Sequence, residues 1–568
     1  MMKYNKYCYN IIKNLFKGKK MNSFIIKANY IDILNKTIYP ANITIKNGII
    51  ASINKTNDSF LQDYILPGFI DSHIHIESSL LIPSHFAHLV VQHGTVATIS
   101  DPHEIANVNG IDGINFMINN ANKIDFKIFF GAPSCVPALP LEFETSGHVL
   151  DDKDVDQLLS NKNIYYLAEM MNFNGVINKE PQIMNKIYSA IKRNKVVDGH
   201  APNLSRTETL KYISAGISTD HECSTIEDAR YKLSLRMKIL IREGSAAKNF
   251  NALHPLISEN SGKYKDHLMF CFDDAHPDIL MNGHINLMVT RAIKHGHNLF
   301  DVLKIACINP VVHYKIPVGI LRVGDPADFI ITQDLKTFNI DKTYINGKLV
   351  FSNGKSYIPL LNEKFINNFN CSKKSSKDFR FFTHKKAIPT INCIDNQIIT
   401  HKTMTDSNLL VPDFQSNIEE DILKIAVINR YNNNEISIGF IKNFGIKDGA
   451  IGSTVAHDSH NIILVGTRDE YLCRVANIII ENQGGLCALN NTHTLMLKLP
   501  IAGLMTILPP KDVALKYIQL NNFCKDTLGS NLTHPLMTLS FMSLTVIPHL
   551  KINDKGLFDV DSFSFLKI

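Results

Sequence analysis

The feature that most restricts the fold of this chain is a repeated pattern between Pro67 and Pro317. Short apolar, strand-like segments alternate there with helix-like segments, and repeated βα units of this number and length predict a (β/α)8 barrel. Five of the strand-like segments end in a residue with a metal-binding or acid–base side chain: Asp101, Glu169, His200, His221 and Asp273. Because barrel active sites are built at the carboxyl ends of the strands, these side chains are expected to share one site.

Two histidines at the end of the first barrel strand, His73 and His75, are expected to point in the same direction. Side chains alternate between the two faces of a strand, so residues separated by one position share a face. Two imidazoles side by side form half of a transition-metal site, although an isolated His-x-His pair is more often a pair of ordinary histidines. The preceding apolar run and Pro-Gly pair, with Asp71 and Glu77 close by, favour the metal site.

The strand-end residues together form a set of six candidate metal ligands: His73, His75, Glu169, His200, His221 and Asp273. Imidazole and carboxylate donors suit Zn²⁺, Mn²⁺ or Fe²⁺, and they argue against a soft thiolate site. Six donors exceed the need of one tetrahedral ion, so we expect two ions bridged by Glu169. Such a centre supplies a metal-activated hydroxide at neutral pH, and a nearby carboxylate can pass the proton to a leaving group. Asp273 is predicted to be that catalytic carboxylate, with the adjacent Asp274 as the alternative.

The rest of the chain is predicted to form a small β domain and a C-terminal domain. Strand-like runs with an Asn-Gly turn signal occur in residues 21–66 and again in 319–361. We expect these two pieces to pair as one small β-sandwich, with the barrel, residues 67–318, inserted between them. A polar linker is predicted at 362–380, followed by an α/β or α+β domain at 381–568. Residues 1–20 are expected to be a disordered leader extension, with Met21 as an alternative start.

Composition restricts the partners that this chain is expected to have. The net charge of +6 comes with scattered lysines and no basic stripe, so nucleic-acid binding is not favoured. Ten cysteines without a Cys-x-x-Cys pair fit reduced thiols in the cytoplasm. No apolar run reaches the roughly 18–20 residues of a membrane span, and residues 1–20 lack the features of a signal peptide. We therefore expect a cytoplasmic protein that acts on a small molecule.

Two polar segments at predicted strand ends give further candidates for the site. In Asp101-Pro102-His103-Glu104, His103 is predicted to be a second catalytic residue at the mouth of the barrel, and Glu104 is a weaker substrate-binding candidate. The alternative is an ordinary helix start with Asp101 as its cap. Arg242 and Glu243 are also weak candidates for lining the substrate pocket, although an ion-paired loop would explain them equally well.

A histidine-rich segment far from the barrel, Ser453 to Asn461, holds His457, Asp458 and His460. These side chains could bind a second metal cluster, reach over the mouth of the barrel, or form a structural hydrogen-bond network. The sequence does not choose between these three interpretations.

Eight motifs in order identify a family. They are His75-Ile76-Glu77-Ser78-Ser79, Ser100 to Val108, Glu169-Met170-Met171-Asn172-Phe173, Asp198-Gly199-His200-Ala201-Pro202, Asp220-His221-Glu222-Cys223, Ile241 to Lys248, Asp273 to Asp278 and Ser453 to Asn461. Together with the run Pro67 to His75, they make the chain resemble the bacterial-type adenine deaminases of the amidohydrolase superfamily. The resemblance covers nearly everything from Met21 to the C-terminus.

The resemblance implies hydrolytic deamination of adenine to hypoxanthine and ammonia at a binuclear centre, with Mn²⁺ as the expected metal and Fe²⁺ or Zn²⁺ possible. Related enzymes that open cyclic amides often bridge their metals with a carboxylated lysine, whereas the corresponding strand here ends in Glu169. An amidohydrolase acting on another purine base or a cyclic amide is the alternative function. A catalytically silent barrel that serves as a binding module is the third hypothesis, and the six candidate ligands argue against it. A homodimer is expected.

Overall fold

A computed structural model describes residues 23–410 and 414–567 of the chain. The predicted leader, residues 1–20, lies outside the described residues. Within the described residues the barrel is preceded and followed by strands of one small domain, and a third domain follows at the C-terminus. The boundaries predicted from the sequence stay predictions, but the three parts occur in the expected order.

The small domain joins two segments of chain that are far apart in sequence. Its eight strands form one hydrogen-bonded sheet in the order β17-β16-β15-β14-β4-β1-β2-β3. The strands are β1 Ser23–Asp32, β2 Thr37–Lys46, β3 Ile49–Lys55, β4 Tyr64–Pro67, β14 Phe329–Thr332, β15 Ile340–Ile345, β16 Lys348–Ser352 and β17 Lys355–Ser356, with β5–β13 belonging to the barrel. Strand β14 pairs antiparallel with β4 over Phe329–Thr332, so the segments on either side of the barrel pair as predicted.

The barrel consists of parallel strands whose inner and outer faces are both covered. They are β5 Phe69–His75, β6 Thr95–Ser100, β7 Lys127–Ala132, β8 Ile164–Met170, β9 Val197–Gly199, β10 Thr219–Asp220, β11 Lys238–Arg242, β12 Leu268–Cys271 and β13 Asp273–Asp274. Every residue of β5 and of β6 is buried. Parallel strands between layers of helices are expected to be apolar on both faces, which explains the continuous apolar runs in the sequence.

A strand broken at Phe272 closes the barrel. Its first part, β12, pairs with β11, and its second part, β13, pairs with β5 so that Asp273 lies opposite Ile74. Strands β9 and β10 are joined by a hydrogen bond from the amide of Ser218 to the carbonyl oxygen of Val197, 2.9 Å long. Counting β12 and β13 as one strand, the eight strands form the predicted (β/α)8 barrel.

Helices cover the barrel and the C-terminal sheet. They are α1 Pro83–Val90, α2 His103–Ala121, α3 Asp152–Ser160, α4 Phe173–Ile177, α5 Pro181–Ile191, α6 Arg206–Ser214, α7 Ile226–Ser234, α8 Phe250–Leu253, α9 Glu259–Gly262, α10 Pro277–Asn282, α11 Ile285–Lys294, α12 Leu299–Leu303, α13 Asn309–Tyr314, α14 Asp469–Glu481, α15 Pro510–Asn522 and α16 Pro535–Phe541. None of the helices in residues 23–410 and 414–567 is long and apolar enough to cross a membrane.

The C-terminal domain is built on a mostly antiparallel sheet, ordered β19-β18-β21-β20-β23-β22-β24-β25. Its strands are β18 Ala387–Cys393, β19 Thr400–Asp406, β20 Ile422–Ile428, β21 Ser437–Lys442, β22 Ala450–Ser453, β23 Ile462–Gly466, β24 Gly485–Leu489 and β25 Thr494–Lys498, and a small sheet adds β26 Leu550–Asn553, β27 Gly556–Asp559 and β28 Ser564–Phe565. Helix α14 packs on one face through a separate apolar cluster. The antiparallel pairing makes this an α+β domain, one of the two predicted types.

Candidate metal centre

The six candidate ligands meet at one end of the barrel, although they come from six places in the sequence. His73 and His75 lie at the end of β5, Glu169 lies in β8, and Asp273 begins β13. His200 and His221 follow directly after β9 and β10. All strands run in the same direction, so their carboxyl ends lie at the same opening.

Glu169 lies at the middle of the group, with one carboxylate oxygen facing each half. Its Oε1 is 3.3 Å from His75 Nε2 and 3.8 Å from His73 Nε2. Its Oε2 is 2.9 Å from His200 Nδ1 and 3.2 Å from His221 Nε2. This arrangement is the one that a carboxylate bridging two cations requires.

Asp273 completes the first half of the group. Its Oδ1 is 3.1 Å from His75 Nε2 and 3.5 Å from His73 Nε2, and its other oxygen contacts the guanidinium of Arg242. The backbone of Asp273 has a φ of 58°, a left-handed conformation that is uncommon outside glycine. Strain of this kind is characteristic of functional sites, and here it coincides with the break between β12 and β13.

The donor atoms fit divalent metal ions. Ligands that share an ion with bonds of about 2.0–2.2 Å must lie roughly 3–3.5 Å from one another, and most of the separations around Glu169 and Asp273 are in this range. Two buried imidazole nitrogens, His73 Nε2 and His200 Nε2, have no hydrogen-bond partner. Groups of three among the six candidate ligands, such as His73, His221 and Asp273 or Glu169, His200 and His221, have donor atoms close enough together to hold an ion.

Hydrogen bonds behind the ligands fix their orientation. His75 Nδ1 lies 3.1 Å from the carbonyl oxygen of Asp101, which can only accept, so Nδ1 carries a proton and Nε2 is the atom turned towards Glu169 and Asp273. Asp71 accepts hydrogen bonds from the amides of His73 and Phe272 and binds His284 Nε2 at 2.8 Å. Asp71 therefore ties the first barrel strand to the last.

The charges of the site favour ionised carboxylates. Burial opposes the ionisation of Glu169, but hydrogen bonds with His200, His221 and His75 outweigh burial and hold the pKa of Glu169 well below its usual range. Burial likewise opposes the ionisation of Asp273, and the positive charge of Arg242 holds the pKa of that carboxyl well below its ordinary value. Both carboxylates therefore present negative charge to a cation at neutral pH.

His103 lies at the mouth of the barrel beside the ligands. Its Nδ1 is 3.3 Å from Asp101 Oδ2 and 3.7 Å from Glu169 Oε1, and its Nε2 is 3.5 Å from Glu104 Oε1. Asp101 also accepts a hydrogen bond of 3.1 Å from the amide of His103, where α2 begins. The turn is therefore a helix start, with Pro102 rather than Asp101 at the N-cap position, and the same turn brings His103 beside the candidate ligands.

Glu104 connects the barrel to the C-terminal domain. His457 Nδ1 lies 2.7 Å from its Oε1, and His460 Nε2 contacts its Oε2. His460 Nδ1 accepts a hydrogen bond from the amide of Ala456, so the proton of this imidazole is on Nε2 and is donated to Glu104. An Nε2 that carries a proton cannot bind a metal, and of the three interpretations of this cluster the geometry favours a hydrogen-bond network that reaches the mouth of the barrel.

The two weak candidates for the substrate pocket, Arg242 at the end of β11 and Glu243 directly after it, point in different directions. Arg242 lines the cavity in front of the ligands and contacts both Asp273 and Glu222. Glu243 forms an ion pair of 2.6 Å with Arg291 on α11 and does not line the cavity. The ion-paired alternative therefore applies to Glu243, whose side chain is turned towards Arg291 and away from the cavity.

Glu222 lines the cavity and was not among the predicted site residues. Its Oε1 is 2.5 Å from Arg242 Nη1 and 3.4 Å from His221 Nε2. Strict strand alternation would place Glu222 opposite His221, but β10 ends at Asp220, so the alternation no longer applies at these residues. Its position next to His221 was the only signal in the sequence.

Seven residues of the C-terminal domain also line the cavity. They are Ile398, His457, Asp458, Phe541, Leu544, Val546 and Ile547. A reach of His457 and Asp458 over the mouth of the barrel was one of the three interpretations from the sequence, whereas the five apolar residues were not predicted. The cavity is thus polar on the barrel side and mainly apolar on the opposite side.

Sequence families agree with this fold. The model of the Amidohydrolase family matches residues 64–350, and that of the Adenine deaminase C-terminal domain matches residues 397–564. The barrel, inserted in its small β domain and carrying histidines and carboxylates at the strand ends, places the chain in the class of amidohydrolases.

Comparison with individual proteins identifies the family within the amidohydrolases. An adenine deaminase of Borreliella afzelii (strain PKo) is 75% identical over 547 residues, which are 96% of this chain and 100% of the relative. An adenine deaminase of Sulfurovum sp. (strain NBC37-1) is 48% identical over 95% of this chain and 99% of its own length. Among solved structures, a β-aspartyl dipeptidase from Fervidobacterium islandicum AW-1 is similar with a TM-score of 0.46 and 14% identity, covering 61% of this chain and 100% of that chain. The chain belongs to the adenine deaminase family.

Proposed function

We propose that this chain catalyses the hydrolysis of adenine to hypoxanthine and ammonia. The observation that carries this conclusion is the position of Glu169 between two groups of buried donors, in a chain that is 75% identical to an adenine deaminase over nearly its whole length. Water adds to ring carbon C6, and the amino group leaves from the same carbon as ammonia.

Two divalent cations fit the donors of this site. His73, His75 and Asp273 would hold one ion, His200 and His221 would hold the other, and Glu169 would bridge them. Mn²⁺ is the proposed metal, while the imidazole and carboxylate donors also admit Fe²⁺ or Zn²⁺. When bound, the ions lower the pKa of a coordinated water towards 7 and so supply a nucleophile at neutral pH.

The chain itself moves the proton that the reaction needs. Ammonia leaves only after the amino nitrogen has been protonated, so a group near C6 must take a proton from the attacking water and return it to that nitrogen. We propose Asp273 for this role; its contacts with the ligand histidines on one side and with Arg242 on the other support the proposal. The charge of Arg242 keeps Asp273 ionised at neutral pH, which is the form that a proton acceptor needs.

Purified protein reconstituted with Mn²⁺ is expected to release ammonia from adenine with the appearance of an equal amount of hypoxanthine. A coupled ammonia assay with adenine, adenosine, guanine and cytosine checks this expectation, and chromatography of the ring-opened product tests a cyclic amide such as dihydroorotate, whose hydrolysis releases no ammonia. Ammonia from another base but not from adenine would overturn the proposed function, in favour of a different purine substrate if that base is guanine, and opening of the cyclic amide would favour a cyclic amidohydrolase.

His103 is proposed to assist the proton transfer. Its imidazole lies at the cavity within 3.7 Å of Glu169 but outside the proposed ligand set. Replacing His103 with asparagine is expected to lower kcat by about 10²-fold, the lower end of general acid–base effects, without loss of metal. The matched control is His88→Asn on α1, whose imidazole binds the carbonyl oxygen of Ile358 and should leave kcat unchanged. Loss of metal from the His103 variant would instead make His103 a ligand.

Two further expectations from the sequence stay predictions. The cytoplasmic location is supported by the cysteines in the described residues, which are all free thiols, and the homodimer is checked by sedimentation of the purified chain.

A further inference from the structure

Asp458 has an unusual position in the cavity. Among the cavity-lining residues of the C-terminal domain, it alone carries a carboxyl group, and apart from His457 the other lining residues of that domain are apolar. Only 4% of the surface of Asp458 is exposed, and its Oδ2 is buried without a hydrogen-bond partner. Leaving a buried acceptor unpaired is costly, more so for a charged group. A ligand that donates a hydrogen bond at this point would remove that cost.

The segment that holds Asp458 is fixed to the barrel on both sides. His457 and His460 bind the two oxygens of Glu104, and the Ser459 hydroxyl donates a hydrogen bond to Glu144. Both carboxylates lie in the barrel portion of the chain and are buried. Negative charge on Glu104 raises the pKa of His457 to about 9 against the opposing effect of burial, so the His457–Glu104 contact is an ion pair at neutral pH. Asp458 is therefore presented to the cavity by a rigid support.

His103 separates Asp458 from the proposed ligands. Its Nε2 lies 4.0 Å from Asp458 Oδ1, while its Nδ1 lies 3.7 Å from Glu169 Oε1. Asp458 and Glu169 thus lie on opposite sides of the His103 ring, with Asp458 on the side away from the proposed metal ligands. In the proposed reaction, C6 of adenine must face the ligands, so the five-membered ring of the purine extends away from them. A ring that extends outwards from the ligands passes the residues of the C-terminal domain that line the cavity, Asp458 among them.

We propose that Asp458 binds the N–H of the five-membered ring of adenine and thereby selects the free base over its N9-substituted derivatives. The inference rests on the proposed function and adds a residue that binds the five-membered ring of the substrate, the part farthest from the proposed metal ligands. A neutral purine base carries an N–H on this ring, whereas a nucleoside or 9-methyl derivative has none. A carboxylate accepts such a bond strongly, and an N9 substituent would leave Asp458 buried without a donor and would meet it sterically.

Phe541 and Leu544 fit the remaining surface of the same ligand. Both line the cavity from the C-terminal domain, and the ring of Phe541 stacks on that of His457 with centroids 4.8 Å apart and an interplanar angle of 11°. Flat aromatic and aliphatic side chains are suited to cover the faces of a purine, while a few polar groups fix its orientation. The C-terminal domain would therefore supply recognition, and the barrel would supply the chemistry.

The test measures binding of a base that is not consumed. Dissociation constants of hypoxanthine and 9-methylhypoxanthine are measured by calorimetry on the Mn²⁺-loaded full chain, for the wild type and for Asp458→Ala and Asp458→Asn. The wild type is expected to prefer hypoxanthine by about 10- to 100-fold, the worth of one hydrogen bond to a charged group. In Asp458→Ala the preference should fall below about threefold, because hypoxanthine loses its N–H contact and binds more weakly, while 9-methylhypoxanthine loses the steric conflict and binds no worse. Asp458→Asn, which keeps the volume and one acceptor, should lie between the two.

Asp554→Ala is the matched control. This buried aspartate also joins the C-terminal domain to the barrel portion of the chain, through the amide of Thr145, and accepts a second hydrogen bond from Asn429 of its own domain, but it does not line the cavity. Its variant should keep the preference of the wild type. A preference that persists in Asp458→Ala, an equal weakening of both ligands, or no preference in the wild type would each overturn the inference. If the preference behaves as expected but the wild type releases no ammonia from adenine, the proposed reaction fails while the Asp458 contact stands.

Discussion

Replacing Asp273 with asparagine is expected to lower kcat for adenine by about 10³- to 10⁴-fold, at the upper end of the effects measured for general acid–base groups. Asparagine has the same shape and keeps one oxygen towards His73 and His75, but it cannot accept a proton from water. Steady-state ammonia release and metal analysis of the same preparations check the result. Most of the bound metal should remain, because the five other proposed ligands are intact.

Asp274→Asn is the control that separates the two neighbouring carboxylates. Asp274 accepts a hydrogen bond of 2.5 Å from the Ser78 hydroxyl, and it pairs with His75 through the backbone of β13. We expect this variant to lose far less activity than the Asp273 variant. The opposite ranking would assign the proton transfer to Asp274 and would refute the role proposed for Asp273.

The second large effect is expected from Glu169→Gln. Removing the charge that lies between the two groups of histidines should reduce the metal content from about two ions per chain to one or fewer. With the loss of the second ion, kcat should fall by about 10³-fold or more, since metal ions contribute several kcal/mol to such reactions and each 1.36 kcal/mol is a factor of ten. Atomic emission analysis of dialysed protein measures the metal directly and does not depend on turnover.

Glu77→Gln is the matched control for that experiment. Glu77 is also a buried carboxyl near the mouth of the barrel, but its Oε1 accepts a hydrogen bond from the amide of Ile105 and it belongs to none of the proposed ligand sets. Its variant should retain two ions. Two ions in Glu169→Gln, or an equal loss in both variants, would contradict the bridging role of Glu169.

Much of the architecture could be predicted because it follows from local patterns of apolar, polar and turn-forming residues in the sequence. Apolar runs that end in polar residues predicted the barrel strands, and two Asn-Gly turn signals predicted the small sheet that brackets the barrel. The type of the C-terminal domain was left open, because its strands have the same apolar character in either arrangement. Pairing of β22 with β23 and β24, antiparallel in both cases, decided it.

The residues of the candidate site likewise include some that local sequence patterns could predict and some that they could not. Glu169, His200, His221 and Asp273 were found because each ends a strand-like segment of the sequence, and the directions of parallel strands then require them to meet. Glu222 was missed because it follows the end of β10, where strand alternation no longer indicates a face. Glu243 was a candidate only by its position beside Arg242; it lies one residue beyond the end of β11 and forms an ion pair with Arg291 instead.

The sequence by itself determined the barrel, the small sheet around it and the donors at the strand ends, since strand period and strand direction depend on neighbouring residues. Only the tertiary structure decided that Glu169 lies between two groups of donors and that β12 and β13 close the barrel with a bend at Asp273. It also decided that Glu104 meets His457 and His460, which lie more than 350 positions away along the chain. Contacts at such separations depend on how whole domains pack, and no local pattern in the sequence records them.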